Sequence, residues 1–262
     1  MRIVVKVGTS TLAHASGRLN IRRVELLCKV LSDLKNAGHE ITLVSSGAIG
    51  MGVGKLGLSG RPADMPGKQA AAAVGQCELM YTYDKLFSEY NHTVAQILLT
   101  ADDIQDKRRS SYVQDTLERL LAWGALPIIN ENDAVAIDEI GIHTTIGEND
   151  SLSAIVARLL KADLLVLLSD IDGLYTSDPR KNPDAVLIPV VKEITDDILA
   201  LAGGTGSSLG SGGMATKLKA AQIVTEAGID MVIANGEAPD VLYGLFDGSQ
   251  VGTRFVGKGC CV

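Results

Sequence analysis

Two lysines set far apart in this chain are the residues best placed by type and neighbourhood to handle phosphate. Lys217 ends the run Gly212-Gly213-Met214-Ala215-Thr216-Lys217, which closes a glycine-dense segment and opens a helical pattern. Glycines let backbone N–H groups crowd around an anion, a helix N-terminus adds a favourable dipole, and a lysine one turn in adds a full charge. An ordinary surface loop has the same composition, and the GxxxxGK[ST] spacing of a P-loop is absent. Lys6 stands at the end of the first apolar run, beside Val7-Gly8. A lysine there would reach into the crevice at the carboxyl edge of a parallel sheet, although a solvated strand-end lysine is the commoner arrangement.

A second chemistry is offered by two dense polar clusters, Asn130-Glu131-Asn132-Asp133 and Gly147-Glu148-Asn149-Asp150, with an expected hairpin containing Ile142 and His143 between them. Asn and Asp are ordinary turn formers and caps, and Asp150 suits the cap of the helix that follows. Beside one crevice the two clusters could bind an amino acid, since carboxylates hold an ammonium and amides hold a carboxylate. Asp172-Gly173-Leu174-Tyr175-Thr176-Ser177-Asp178-Pro179 reads by itself as a turn and loop. Gly52-Val53-Gly54-Lys55-Leu56-Gly57 fits GxGxxG. It lies several residues past its strand and no acidic strand end follows at the required distance, so it reads as a loop rather than a dinucleotide fingerprint.

Positioning these groups falls to short β-branched runs alternating with longer helical patterns. Strands are expected over Ile3 to Val7, Ile41 to Val44, Thr93 to Leu99, Leu126 to Ile129, Leu164 to Leu168 and Met231 to Ala234. Helices are expected over Ile21 to Ala37, Lys68 to Tyr90, Ser110 to Trp123, Ser151 to Leu160, around Ile194 to Leu201, and over Met214 to Ala227. Leu164-Leu165-Val166-Leu167-Leu168 is apolar on both faces, as a strand covered on both sides must be. The expected fold class is therefore α/β, a three-layer αβα sandwich on a mostly parallel central sheet. The polar and glycine-rich segments follow the strands, at the edge where open α/β sheets bind ligands.

Composition narrows the function. With 46% apolar and 21% charged residues the 262-residue chain can bury a large core, which excludes disorder. A formal net charge of −7 supplies no field for nucleic acid or an anionic membrane, so neither is an expected partner. Cys28, Cys77, Cys260 and Cys261 form no CxxC, and His14, His39, His92 and His143 do not cluster with them, so no metal site is expected and the thiols read as reduced in a cytoplasmic protein. Neither a signal-peptide core nor an 18-residue apolar run is present.

Taken in order, KVGTS, SSGAIGMG, NENDAVA, GENDSLSA, SDIDGLYTSDPR and GSGGMATKL resemble the motif series of the amino acid kinase family, in its glutamate 5-kinase branch. The resemblance runs from about Ile3 to Phe255. It implies an amino acid kinase domain over 1–257 with a short tail over 258–262, and a form without the C-terminal PUA domain that many members carry. It further implies phosphorylation of the γ-carboxylate of L-glutamate by ATP with Mg²⁺, the first step of proline biosynthesis, in a homo-oligomer with proline as feedback inhibitor. By the same resemblance the catalytic set is Lys6, Lys217 and Asp150, with Asp150 positioning the two lysines. Nucleotide binding falls to Lys6, Gly8, Ser169, Asp170, Ser211, Gly212, Gly213, Met214, Ala215, Thr216 and Lys217. Glutamate binding falls to Ser46, Gly47, Asn130, Asp133 and Asn149. Glu148 stands where the family more often has Asp, and the 134–147 connection is longer than in many relatives. Other readings are an N-acetylglutamate or aspartate kinase of the same family, and a non-catalytic nucleotide or amino-acid sensor.

Overall fold

The computed structural model describes residues 1–14, 18–135, 149–202 and 213–259. Its central strands are the apolar runs expected from the sequence: β1 (Arg2–Val7), β2 (Glu40–Ser45), β3 (Val94–Leu99), β4 (Leu126–Glu131), β5 (Leu164–Ser169) and β7 (Asp230–Asn235). Two short strands, β6 (Val190–Val191) and β8 (Thr253–Phe255), complete a sheet ordered β3-β4-β2-β1-β5-β7-β8-β6 among the described residues. Pairing is parallel except between β7 and β8.

The helices are α1 (Thr9–Leu12), α2 (Ile21–Asn36), α3 (Ala48–Leu56), α4 (Met65–Ser88), α5 (Ala101–Gln105), α6 (Lys107–Ala122), α7 (Asn149–Leu159), α8 (Asp196–Ala200), α9 (Met214–Glu226) and α10 (Gly244–Asp247), with a 3-10 turn at Pro239–Tyr243. Local chemistry sets their limits. Asp64 accepts from the Gly67 backbone N–H at 2.8 Å and Pro66 occupies the first turn, so α4 begins earlier than its apolar pattern. Asp106 does the same for α6 by accepting from the backbones of Arg108 and Arg109.

Strand alternation divides the core into two layers. Ile3, Val5 and Val7 face α2 and α4 through Leu27, Leu31, Leu79 and Tyr83. Val4, Leu165 and Leu167 face α6, α7 and α9 through Leu117, Val156 and Leu218. This is the three-layer αβα arrangement.

One segment overturns its expectation. The GxGxxG run lies largely inside α3, which ends against Gly57, rather than in a loop. One of its glycines, Gly52, lets two backbones touch together with Gly75 of α4: a Cβ on Gly52 would run into the Ala71 carbonyl of α4, and one on Gly75 into the Ala48 carbonyl of α3. The α3/α4 crossing accounts for Gly52 and the left-handed end of α3 for Gly57.

Candidate active site

Lys6 belongs to the central strand β1 and, two residues from Val4, points to the face that carries α7 and α9. The first turn of α7 brings Asp150 to it and the first turn of α9 brings Lys217. Lys6 Nζ lies 2.7 Å from Asp150 Oδ1, and Lys217 Nζ lies 3.2 Å from Oδ2. Thr216 donates its hydroxyl to the same Oδ2 at 2.8 Å. The Asp150 side chain is 1% exposed and those of Lys6 and Lys217 are 11% and 7% exposed, so these are buried charges, tolerable only because they are paired. Asp150 is not the cap of α7 but sits within its first turn. Burial pushes its carboxyl upward, yet the charges of Lys6 and then Lys217, with hydrogen bonding, outweigh this and hold it at about 2. A Cβ on Gly8 would stand 3.4 Å from Lys6 Nζ, so glycine leaves the ammonium uncrowded.

A neutral cluster adjoins the charged one. Ser46 follows β2, Asn130 is near the end of β4, and Asn149 opens α7. Asn149 Nδ2 donates to Ser46 Oγ at 2.8 Å and to Asn130 Oδ1 at 3.1 Å. Gly47 has φ of 102°, a left-handed turn that lets the chain pass from Ser46 straight into α3. Asp133 lies half-buried in the turn after β4. Behind this wall Tyr83, fully buried in α4, shares a 2.8 Å hydrogen bond with Ser45 Oγ.

Sequence reasoning missed Gln76 of α4, whose Oε1 accepts from Asn130 Nδ2 at 3.0 Å. Its signal was present: Ala72, Gln76, Leu79, Tyr83 and Phe87 form one buried stripe, and Gln76 is the amide within it.

The third group lies at the end of β5. Val7 pairs with Leu168, so Ser169 sits one strand over from Gly8. Ser169 is buried and donates to Asp170 Oδ1 at 3.2 Å, while Arg180 holds Asp170 Oδ2 at 2.9 Å. Asp172 accepts from Asn235 Nδ2 and from the Tyr175 hydroxyl, each at 2.8 Å, which binds the loop after β5 to the end of β7. Gly213 precedes α9 in an extended conformation, and Met214, Ala215, Thr216 and Lys217 form its first turn. Ser211, Gly212, Glu148 and the hairpin at Ile142 and His143 lie outside the described residues.

The arrangement can do two things side by side. Two ammonium groups that share one carboxylate can face a polyanion, and an amide cluster offers directional hydrogen bonds to a small polar molecule.

Residues 1–235 match the model of the amino acid kinase family. Over 257 residues the chain is 54% identical to the glutamate 5-kinase of Clostridium perfringens (strain 13 / Type A), covering 98% of this chain and 96% of that one. Over 253 residues it is 56% identical to the glutamate 5-kinase of Clostridium tetani (strain Massachusetts / E88), covering 97% and 93%. Among solved structures, the product complex of T. acidophilum isopentenyl phosphate kinase aligns over 97% of this chain and 100% of that one, with a TM-score of 0.67 and 20% identity, a likeness of fold alone.

Proposed function

The chain belongs to the amino acid kinase family, and from that premise we propose that it transfers the γ-phosphoryl group of ATP to the γ-carboxylate of L-glutamate, giving L-glutamyl 5-phosphate and ADP, the first step of proline biosynthesis. The observation that carries the reading is the pair of buried ammonium groups, Lys6 and Lys217, held on either side of Asp150 and directly beside the amide cluster that begins at Asn149.

The chemistry follows from charge. A glutamate side chain, with a reference pKa of about 4.3, is already ionised at neutral pH and attacks phosphorus without a general base. The barrier lies in bringing that anion against a polyanion and then stabilising charge on the group in transit. Lys6 and Lys217 supply positive charge from two directions, and Asp150 positions both nitrogens. Backbone N–H groups at the start of α9 and across 211–217, with Gly8, Ser169 and Asp170, form the remainder of the nucleotide site. Ser46, Gly47, Asn130, Asp133 and Asn149 hold glutamate, and the kinase domain spans 1–257.

Magnesium belongs to the same reading. Among the described residues no group of three or more His, Cys, Asp and Glu side chains is arranged to hold a metal, so Mg²⁺ here would rest on phosphate oxygens and water, which it prefers, and would neutralise phosphate charge. Among the described residues no helix is long and apolar enough to cross a membrane, and we place the reaction in the cytoplasm.

Incubation with glutamate, MgATP and hydroxylamine tests the proposal. γ-Glutamyl hydroxamate should accumulate in step with ADP; folded protein that yields neither product overturns the reading.

A further inference from the structure

A buried hydroxyl of β8 takes the place of one backbone hydrogen bond in the loop that leaves β5. Leu174 to Thr176 run antiparallel to Val186 to Ile188, with Tyr175 opposite Leu187. The Ile188 N–H donates to the Leu174 carbonyl at 2.8 Å and the Thr176 N–H to the Val186 carbonyl at 3.0 Å. In a regular antiparallel pair the Leu174 N–H would return a bond to the Ile188 carbonyl. Instead it donates to Thr253 Oγ1 at 2.8 Å, and Thr253 Oγ1 donates to the Ile188 carbonyl at 2.6 Å. Among the described residues neither of these two backbone groups has another partner, and Thr253 is shut off from solvent. Such a relay needs a side chain that accepts and donates at one atom, which Thr and Ser can do and Val cannot. The sequence makes room for it, since a Cβ on Gly173 would run into Thr253 Oγ1.

The relay stands in line with the charged cluster. Strand register puts Lys6 beside Leu167, Leu167 beside Ile233 and Ile233 beside Thr253, one row across β1, β5, β7 and β8. Leu167 and Ile233 both pack into the core layer of α7 and α9, so Thr253 shares the sheet face of Lys6, three strands and roughly 14 Å away. The loop it holds returns to the same edge: Arg180, between the two paired segments, binds Asp170 Oδ2 at 2.9 Å, and the Tyr175 hydroxyl donates to Asp172. We propose that Thr253 is a positioning residue for the nucleotide. Its hydroxyl sets the spacing of the two paired segments, and through Arg180 it places Asp170 at the nucleotide side of the site. The inference rests on the kinase reading given above and adds to it a residue of the last strand.

Thr253→Val keeps the shape of the side chain and removes the relay. It should raise the KM for ATP about tenfold, with kcat at saturating ATP and the KM for glutamate within about threefold of the parent. MgADP affinity, read by titration calorimetry without turnover, should fall by about the same factor. Thr253→Ser keeps the hydroxyl and should stay within about twofold of the parent throughout. Arg180→Met, an exposed change that leaves the relay intact, should weaken MgADP by a similar factor and decides the matter should Thr253→Val fold poorly. Because the two residues act in series, the double variant should lose no more than the worse single one. MgADP affinity within about twofold of the parent in folded Thr253→Val or in Arg180→Met would overturn the proposal. So would losses that multiply in the double variant, a Ser variant as weak as Val, or a glutamate KM that rises as much as that of ATP. An unmodified protein that binds MgADP with the expected losses in its variants, yet forms no γ-glutamyl hydroxamate, would instead sink the kinase reading and leave the role of Thr253 standing.

Discussion

At the start of α7, Asp150 turns into a cluster of full charges and its neighbour Asn149 into a cluster of amides. In the charged cluster each Asp150 oxygen faces an ammonium, and the group is pinned by β1, α7 and α9 together. In the amide cluster every named contact is neutral. Charges of this kind act on any polyphosphate within reach, whereas oriented amides distinguish one small molecule from another. Under the proposed function, adjacent residues on one helix turn would divide the work, Asp150 serving rate and Asn149 recognition.

Substitution of either lysine tests this division most severely. Lys217→Ala or Lys6→Ala should lower kcat by about a thousandfold or more, by analogy with charge-stabilising groups in phosphoryl transfer, with the glutamate KM changed only a few-fold in steady-state assays. A large glutamate KM effect with kcat preserved would break the comparison. Asp150→Ala leaves two buried ammonium groups without their carboxylate and should cost about 3–5 kcal/mol in urea unfolding, a loss that substitutions in the neutral cluster should not approach. Acid provides a gentler probe of the same contact. Because the folded carboxyl is held at about 2, below its ordinary 3.8, its stabilisation is complete above pH 4 and fades as pH falls toward 2. That span should carry about 2–3 kcal/mol of unfolding free energy, absent in Asp150→Asn. Smallest of all, Ser46→Ala or Asp133→Ala should raise the glutamate KM about tenfold with the ATP KM unmoved. An effect on ATP alone would reverse the assignment of the two clusters.

The sequence made the frame legible where burial is two-sided and the run is long. β5 is apolar from Leu164 to Leu168, and the stripe of α2 repeats at helical spacing. β6 and β8 escaped because two or three residues are too few to show a period. α3 escaped because its glycines weaken helix propensity, and the partner that makes Gly52 useful, Gly75, sits in another element. In the site, Lys6 and Lys217 were conspicuous from their glycine neighbours. Their meeting at Asp150 was not, since separation along the chain carries no distance in space; Asp150 by itself looked like a cap. Gln76 needed the opposite reading, as an amide within an otherwise apolar helix face.

The touching backbones of α3 and α4 bear on how the proposed glutamate site could be redesigned. α3 begins two residues after Ser46, and α4 carries Gln76 next to Gly75, so the crossing fixes how far apart the elements bearing these two residues of the amide cluster stand. Enlarging a cavity usually means shaving a bulky group off its lining. Here the spacer between the two elements is main chain, with nothing left to shave, and adding even a methyl at Gly52 or Gly75 would wedge them out of alignment. Acceptance of a diacid one methylene longer would have to come from re-routing the chain between these helices rather than from trimming at their contact.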